Sequence, residues 1–466
     1  KHYIVLSEFA EKQLPQILKL SKNNNESTFL PEITDTAEIK SIAKKKLKEV
    51  FPAVVAKGSE SGGWIGDDSA FILAQKLLAL DYLPVYVRGG IGIETAAACR
   101  AVGAAGVILD DQLLLMPESP LPEEWRRRLK GAVAQDAIVF GEIFDKPVRV
   151  LSRPGFKSVK ALKELEKQIE IDTVDKTAAA KSWREKAAGF IGWNHPDNQT
   201  PPVGQAVVLA DYYVRKYRTT GRLITALLQV SAEYTARAAE KHILQPESPL
   251  ANAHSTKYPI VQGPMTRVSD NAEFAEAVAE NGALPTVAVA MLPEEQARKL
   301  FSETKDLLKD KPWGVGLLGF IQQELLEEQF KVVEEFKPPF AVLAGGRPDQ
   351  VSRLEQTGTA AYLHAPTPEL LKMFYEAGAR RFIFEGRECG GHVGPVSSFT
   401  LWQGAINVLT ELVKPEEAAQ VQLLFAGGIH DDLSAAMVAG MAAGMEEKGA
   451  KIGVLIGTSY LFTDEA

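Results

Sequence analysis

The sequence has only two cysteines, Cys99 and Cys389, and they stand far apart in the chain. Two distant thiols do not form a disulfide framework, so we expect a reducing, cytoplasmic setting. No run of about 18 apolar residues is present, and no signal peptide is recognisable, so a membrane span is not expected. The formal net charge of −8 argues against a nucleic-acid partner, because such a surface needs a basic face.

Hydrophobic residues make up 45% of the 466 positions, which is ample for ordinary packed cores. At roughly 100–200 residues per domain, two or three domains are expected. The chain begins at Lys1 without a methionine and stops at Ala466, just past a predicted strand. We therefore expect it to be a piece of a longer polypeptide.

The C-terminal part alternates short apolar runs with amphipathic helical stretches. Such runs, buried on both faces and separated by helices, are typical of a parallel sheet. Eight of them fit a closed (β/α)8 barrel, which we predict over residues 257–466. The predicted strands are 258–262, 284–290, 313–318, 340–343, 360–364, 381–385, 422–426 and 451–456.

The N-terminal part repeats the motifs of the C-terminal part in the same order. Residues 58–66 match residues 386–394, residues 89–91 match 427–429, and residues 106–107 match 453–454. We therefore predict that residues 1–125 are strands 4 to 8 of an incomplete first barrel. Residues 126–256 are expected to form a mainly helical linker. The predicted strands of the first copy are 3–6, 31–33, 53–56, 85–87 and 106–109.

His392 is the candidate catalytic residue of the second copy. It lies in a glycine-rich turn, residues 386–395, that directly follows a predicted strand. In α/β barrels the working residues stand at the C-terminal ends of the strands, and a histidine can exchange protons near neutral pH. Glu388 is expected to hydrogen-bond within the turn, and Cys389 to serve in packing.

Two glycine turns predict a phosphate site. Strand 7 is followed by Gly427 and Gly428, and strand 8 by Gly457 and Thr458. Barrels commonly bind phosphate with the loops after these two strands. After strand 1, the segment 262–265 can lay its backbone against a flat ring system.

Four motifs together resemble the nitronate monooxygenase (2-nitropropane dioxygenase) family, which also includes flavin-dependent enoyl-acyl-carrier-protein reductases. They are Tyr258-Pro-Ile-Val-Gln-Gly-Pro-Met265, Gly386-Arg-Glu-Cys-Gly-Gly-His392, Ala426-Gly-Gly-Ile429 and Gly457-Thr458. The resemblance covers residues 257–466 and, more weakly, residues 1–125. It implies an FMN barrel with His392 as its catalytic residue. The residues that it implies for cofactor binding are Gly263, Pro264, Met265, Gly391, Gly427, Gly428, Gly457 and Thr458.

The resemblance leaves three functions open. The first is a flavin-dependent reduction of an α,β-unsaturated acyl thioester, with NADPH or NADH as electron donor. The second is oxidation of a nitronate or similar carbanion by FMN and O2. Against the second, many nitronate-oxidising members have an asparagine on strand 3, where this chain reads Gly316-Leu-Leu-Gly319. The third is a flavin-free scaffold.

The tandem arrangement resembles barrels embedded in polyketide or fatty-acid synthase polypeptides. This implies an acyl carrier protein or an acyl thioester as partner. It also implies that the chain is part of a larger multidomain polypeptide, which could be a homodimer. The first copy departs from the motifs, with Trp64 at the place of His392 and Asp110-Asp111 at that of Gly457-Thr458. Two carboxylates would repel a phosphate dianion. We therefore expect the first barrel to be non-catalytic.

Overall fold

The computed structural model describes residues 2–7, 16–17, 19–20, 27–44, 50–172, 175–391 and 393–466. Its contacts divide the chain into two compact units, Lys1–Glu233 and Tyr234–Ala466. The predicted catalytic residue, His392, lies outside the described residues. Among the helices of the described ranges, none combines the length and the apolar character needed to cross a membrane.

The first unit contains an open, parallel five-stranded sheet, as the repeat predicted. The sheet order is β1-β2-β3-β5-β6, and within the described residues nothing pairs beyond β1 or β6. All five strands coincide closely with the predicted ones. The strands of this unit are β1 (His2–Leu6), β2 (Ser27–Ile33), β3 (Val54–Lys57), β4 (Gly63–Trp64), β5 (Val85–Arg88), β6 (Gly106–Ile108), β7 (Ala137–Phe140) and β8 (Val148–Leu151).

Helices cover this sheet and continue beyond it. The helices α5, α6 and α7 confirm the helical stretches expected between the two copies. The bounds are α1 (Thr36–Lys44), α2 (Ala70–Leu80), α3 (Ile93–Ala101), α4 (Glu123–Leu129), α5 (Lys157–Asp172), α6 (Lys176–Ala187), α7 (Val208–Tyr217) and α8 (Thr220–Lys241), the last of which contains the boundary between the units.

The region expected to be a helical linker also contains strands. β7 and β8 pair antiparallel, and β8 pairs with β4 from the first copy. Their apolar side chains share a core with α5 and α6, in which Trp183 is fully buried. Residues 126–233 therefore belong to the first compact unit, and 234–256 to the second, instead of forming a separate linker.

The second unit is an eight-stranded parallel barrel, as predicted. Each strand pairs with the next from β10 to β16, and β16 pairs with β9. A parallel bridge between Val261 and Leu284 joins the first strand to the segment before the second. The strands are β9 (Ile260–Gln262), β10 (Thr286–Ala288), β11 (Gly314–Leu318), β12 (Phe340–Ala344), β13 (Ala360–His364), β14 (Arg381–Glu385), β15 (Gln422–Ala426) and β16 (Lys451–Ile456).

The strand sequences explain this closure, because they are buried on both faces. All five residues of β12 and of β15 are buried, as expected for strands enclosed between a barrel interior and surrounding helices. The helices are α9 (Pro249–His254), α10 (Ala272–Glu280), α11 (Glu294–Leu308), α12 (Gln323–Phe336), α13 (Pro348–Gln356), α14 (Pro368–Glu376), α15 (Ser398–Leu412) and α16 (Asp432–Lys448).

Side-chain caps fix where these helices start after the strand-end loops. Asn271 accepts a hydrogen bond from the backbone N–H of Phe274 (2.7 Å), and Asp431 accepts one from Ser434 (2.8 Å). Each cap satisfies a helix N–H that has no partner within the helix. The loops between strand and cap are thereby held at the C-terminal end of the barrel.

Candidate active site

A cavity of about 680 Å³ opens at the C-terminal end of the second barrel. Its volume lies in the range typical of small-molecule and cofactor sites. The structure brings together there all eight residues that the sequence assigned to cofactor binding. They are Gly263, Pro264, Met265, Gly391, Gly427, Gly428, Gly457 and Thr458.

The two glycine turns lie side by side, because β15 and β16 are paired. Gly427 and Gly428 have φ values of 108° and 72°, in the left-handed region that favours glycine. A Cβ on Gly427 would also lie 3.0 Å from the Sγ of Cys389. On the neighbouring strand, a short 3₁₀ helix begins at Thr458 directly after Gly457. Bare backbone and one hydroxyl suit a phosphate at this place.

The loop that carries His392 approaches the same turns. A Cβ placed on Gly390 would lie 2.6 Å from the Thr458 hydroxyl oxygen. Gly391, directly before His392, lines the cavity with a φ of 77°. The two residues before His392 therefore border the cavity.

On the opposite side, the loop after β9 packs closely against β11. A Cβ on Gly316 would lie 2.1 Å from the Cβ of Pro264. A side chain at position 316 is therefore excluded by the proline of the strand 1 loop. Leu317 and Leu318 also line the cavity, so this wall is apolar.

Glu388 hydrogen-bonds as expected, and it does so in a way that the first copy repeats. Its Oε2 accepts hydrogen bonds from the backbone N–H and the hydroxyl of Ser398, at 2.8 and 2.7 Å. In the first copy, Glu60 accepts a hydrogen bond from the backbone N–H of Ala70 (3.0 Å) in the same way. A carboxylate at a helix N-terminus is favoured by the helix dipole. In the second copy, the carboxylate of Glu388 therefore caps the N-terminus of α15.

Cys389 lines the cavity, but it is not in a reactive-thiol environment. Burial, with a smaller contribution from the carboxylates of Glu385 and Glu388, raises the pKa of this thiol well above its usual value. A thiol that stays protonated is a poor nucleophile. The structure thus supports the packing role expected from the sequence.

A histidine–carboxylate pair on the cavity wall was not predicted from the sequence. His364 ends β13 and Glu385 ends β14, and the Nδ1 of His364 lies 2.8 Å from the Oε2 of Glu385. Both residues line the cavity. The signal was available, because each is a polar residue that closes a predicted apolar strand. A third histidine, His430, borders the cavity beside Gly428 and is mostly exposed.

The same edge of the first sheet carries a network of charges. The pairing of β13 with β14 and of β2 with β3 places Glu32 at the position of His364 and Lys57 at that of Glu385. In the same way, the pairing of β14, β15 and β16 matches that of β3, β5 and β6. This match places Arg88 at the position of Ala426 and Asp110 at that of Gly457.

These four side chains are linked to one another. Lys57 Nζ lies 3.5 Å from Glu32 Oε2, Arg88 forms an ion pair with Glu32, and Arg88 Nε lies 2.7 Å from Asp110 Oδ2. Burial alone would raise the pKa of Glu32, but the charges of Lys57 and Arg88 outweigh it and the pKa is lowered. The network therefore places charged side chains where the second copy has a cavity and a glycine turn.

A loop of the first unit also packs against Glu60 and Asp111 of the first copy. The backbone N–H of Gly204 donates to Asp111 Oδ2 (2.7 Å), and that of Gln205 donates to the carbonyl of Glu60 (2.8 Å). Burial, together with the nearby Asp110 carboxylate, raises the pKa of Asp111. The expected repulsion between a phosphate and the two carboxylates is thus partly offset by Arg88 and by burial.

Trp64, at the position of His392, serves in packing. It forms β4 with Gly63, packs against the core shared by α5 and α6, and lies under the guanidinium of Arg184 at 5.2 Å. An indole accepts no proton at neutral pH. Trp64 therefore packs against neighbouring side chains and cannot replace His392 as a proton acceptor.

Comparison with known proteins finds a dehydrogenase and a nitronate monooxygenase among the relatives. A dehydrogenase from Rhodococcus jostii, named (3aS,4S,5R,7aS)-5-hydroxy-7a-methyl-1-oxo-octahydro-1H-indene-4-carboxyl-CoA dehydrogenase, is 32% identical over 111 residues, 24% of this chain and 31% of that protein. A nitronate monooxygenase from Pseudomonas aeruginosa is 26% identical over 251 residues, 45% of this chain and 67% of that protein. This chain thus spans only part of the length of the curated relatives.

Among solved structures, FabK from Thermotoga maritima superposes with a TM-score of 0.38 at 28% identity, over 46% of this chain and 63% of that one. The family model of the nitronate monooxygenases matches residues 4–229 and 326–466, most of the chain and parts of both copies. The family resemblance expected from the sequence is confirmed by this match. The chain belongs to the nitronate monooxygenase family.

Proposed function

We propose that the second barrel binds FMN and reduces an α,β-unsaturated acyl thioester, with NADPH or NADH as electron donor. The observation that carries FMN binding is the meeting of eight motif residues around one cavity, with two adjacent glycine turns at its edge. Gly427, Gly428, Gly457 and Thr458 would hold the phosphate. The loop of Pro264 and Met265 would lie against the ring system.

FMN would supply hydride chemistry, and the residues of the chain would bind, orient and protonate the substrate. His392 is the proposed catalytic acid–base residue, carried over from the family motif. The apolar wall of Leu317 and Leu318 suits an acyl substrate. The Rhodococcus jostii relative is named as acting on a carboxyl-CoA compound, which supports an acyl thioester here.

The setting of this reaction is a second part of the proposal. We infer that the chain works in a polyketide or fatty-acid synthase-type polypeptide, with an acyl carrier protein presenting the thioester. The tandem arrangement of a degenerate and an intact barrel supports this, because a first copy without a site suits a structural or interaction role.

Oxidation of a nitronate by FMN and O2 is the second candidate, favoured by the Pseudomonas aeruginosa relative of that name. The two functions are separated by the substrate that drives turnover. We expect the FMN-loaded protein to consume NADPH or NADH in the presence of crotonyl-CoA. The second candidate would be favoured if the protein consumed O2 with propyl nitronate but did not consume NADPH or NADH with the thioester. A colourless protein that takes up no added FMN would leave only the scaffold.

The first copy should bind no flavin even when the second is saturated, so the full-length protein is expected to bind one FMN per chain. The reason is that the linked side chains of Arg88 and Asp110 stand at the positions of the cavity-lining residues Ala426 and Gly457. The segment around Gly204 packs on the adjacent Asp111. Titration of the deflavinated protein, followed by quenching of FMN fluorescence, measures the stoichiometry. A value near two would show that the first copy is not degenerate.

A further inference from the structure

The pair formed by His364 and Glu385 stands at a catalytic position of the fold. The two residues are the last of β13 and β14, at the C-terminal end where barrel enzymes place their working groups. Their side chains are 10% and 12% exposed, so they lie in the cavity wall and are largely shielded from bulk solvent.

The hydrogen bond between them fixes which ring nitrogen is available. An ionised carboxylate only accepts hydrogen bonds, so Nδ1 of His364 is the nitrogen that donates to Glu385. In the neutral ring, Nε2 then carries a lone pair and no proton. This Nε2 is buried and has no hydrogen-bond partner among the described residues. A buried polar atom without a partner is destabilising unless something else satisfies it.

In the first copy, the side chains at the equivalent strand ends pair with one another. There, Glu32 and Lys57 stand at the two equivalent positions, and Arg88 continues the network. In the second copy Ala426 stands at the position of Arg88, so no neighbouring side chain is available from that strand to engage Nε2. The difference between the copies therefore leaves one ring nitrogen of a cavity-lining residue without a partner among the described residues.

The other ionisable groups among the described residues of the cavity lining are less suited to proton transfer. Glu388 is engaged by Ser398, and the pKa of the Cys389 thiol is raised well above its usual value. His430 is mostly exposed and lies beside Asp431, next to the proposed phosphate turn. Another histidine of this unit, His254, is buried away from the cavity lining, and burial lowers its pKa to about 3.

We propose that His364 is a second acid–base residue of this site, which exchanges a proton with the substrate through Nε2, and that Glu385 positions its ring. In one direction a new N–H bond forms at Nε2, the substrate O–H, N–H or acidic C–H bond breaks, and its electron pair stays on the substrate. In the other direction the Nε2–H bond breaks, and the proton passes to the substrate carbanion. No electrons are gained or lost by the protein in this step. The substrate class rests on the proposed function above.

Turnover of three variants tests the proposal. His364→Gln should keep FMN and lose about 10²–10⁴-fold in kcat, the usual contribution of general acid–base groups. Glu385→Gln should keep FMN and change the pH profile of kcat. In His364→Ala, added imidazole should restore part of the lost turnover, which a merely structural role would not allow. A His364→Gln variant within threefold of wild type would overturn the proposal.

The ring can also be tested without turnover, so that a failure of the proposed function is distinguishable. In flavin-free protein with ¹⁵N-labelled histidine, the resonance that His364→Gln removes should show a proton on Nδ1 and reversible protonation of Nε2 as the pH falls. A wild type that reduces no thioester but shows this behaviour contradicts the proposed function alone. A ring with its proton on Nε2 overturns the inference about His364, whatever the activity.

Discussion

Replacing His392 by alanine should lower turnover by about 10²–10⁴-fold while most of the FMN stays bound, because a general acid–base group contributes that much to the rate. FMN binding should survive, since the turns proposed to hold the phosphate follow β15 and β16 and are not in the loop of His392. Steady-state kinetics with the thioester and the visible absorbance of bound flavin measure the two effects separately.

A matched control for this variant is His195→Ala, which removes an exposed histidine of the first unit. It should leave both turnover and FMN content unchanged. If His392→Ala is also within about threefold of wild type, His392 has no part in the mechanism. In that case a large loss in His364→Gln would identify the residue that replaces it.

The double variant His392→Ala/His364→Gln tests whether the two histidines act in one proton path. When two residues act as a unit, the fold-loss of kcat in the double variant is far smaller than the product of the two single fold-losses. A double variant no slower than the poorer single one therefore indicates a shared step. Losses that multiply indicate two independent proton transfers.

The barrel itself was predictable from the sequence, because each strand is a short apolar run that must be buried on both faces. The runs at 360–364, 381–385, 422–426 and 451–456 coincide with β13 to β16. The repeat made the first sheet predictable in the same way, although only five strands are present. Local burial and a recurring motif order were sufficient for these elements.

The strands β7 and β8 were not predicted, and the reason is their length and their partner. Each has four residues, and β8 pairs with Gly63 and Trp64, which are distant in sequence. One of their interior positions is Arg149, which is 3% exposed and donates to the carbonyls of Ser59 and Ala137. A buried arginine conceals the apolar pattern, and pairing between distant segments cannot be inferred from local periodicity.

The pair of His364 and Glu385 was missed for a related reason. The two residues are 21 positions apart, and only the parallel pairing of β13 with β14 brings them together. A motif search detects glycines and a histidine within one loop, such as residues 386–395, because they are contiguous. A site built from the ends of neighbouring strands requires the strand order first, and then an inspection of each polar terminal residue.

Replacing Gly457 by aspartate should expel the flavin, because it places a carboxylate where the phosphate is proposed to bind. Two like charges about 4 Å apart repel by about 4 kcal/mol at an effective dielectric constant of 20. That corresponds to about three orders of magnitude in Kd. The change copies Asp110 of the first copy, but without Arg88, whose position is held by Ala426.

The geometry of this position allows the charge to be tested apart from the bulk. Gly457 has a φ of −116°, and the nearest atom to an added Cβ is the Sδ of Met265 at 3.8 Å. A side chain is therefore tolerated without strain, and Gly457→Asn is an uncharged control of nearly the same size. Fluorescence titration with FMN should show a much larger rise in Kd for Gly457→Asp than for Gly457→Asn. Equal losses would mean that bulk alone is responsible, and wild-type FMN content in both variants would place the phosphate elsewhere in the cavity.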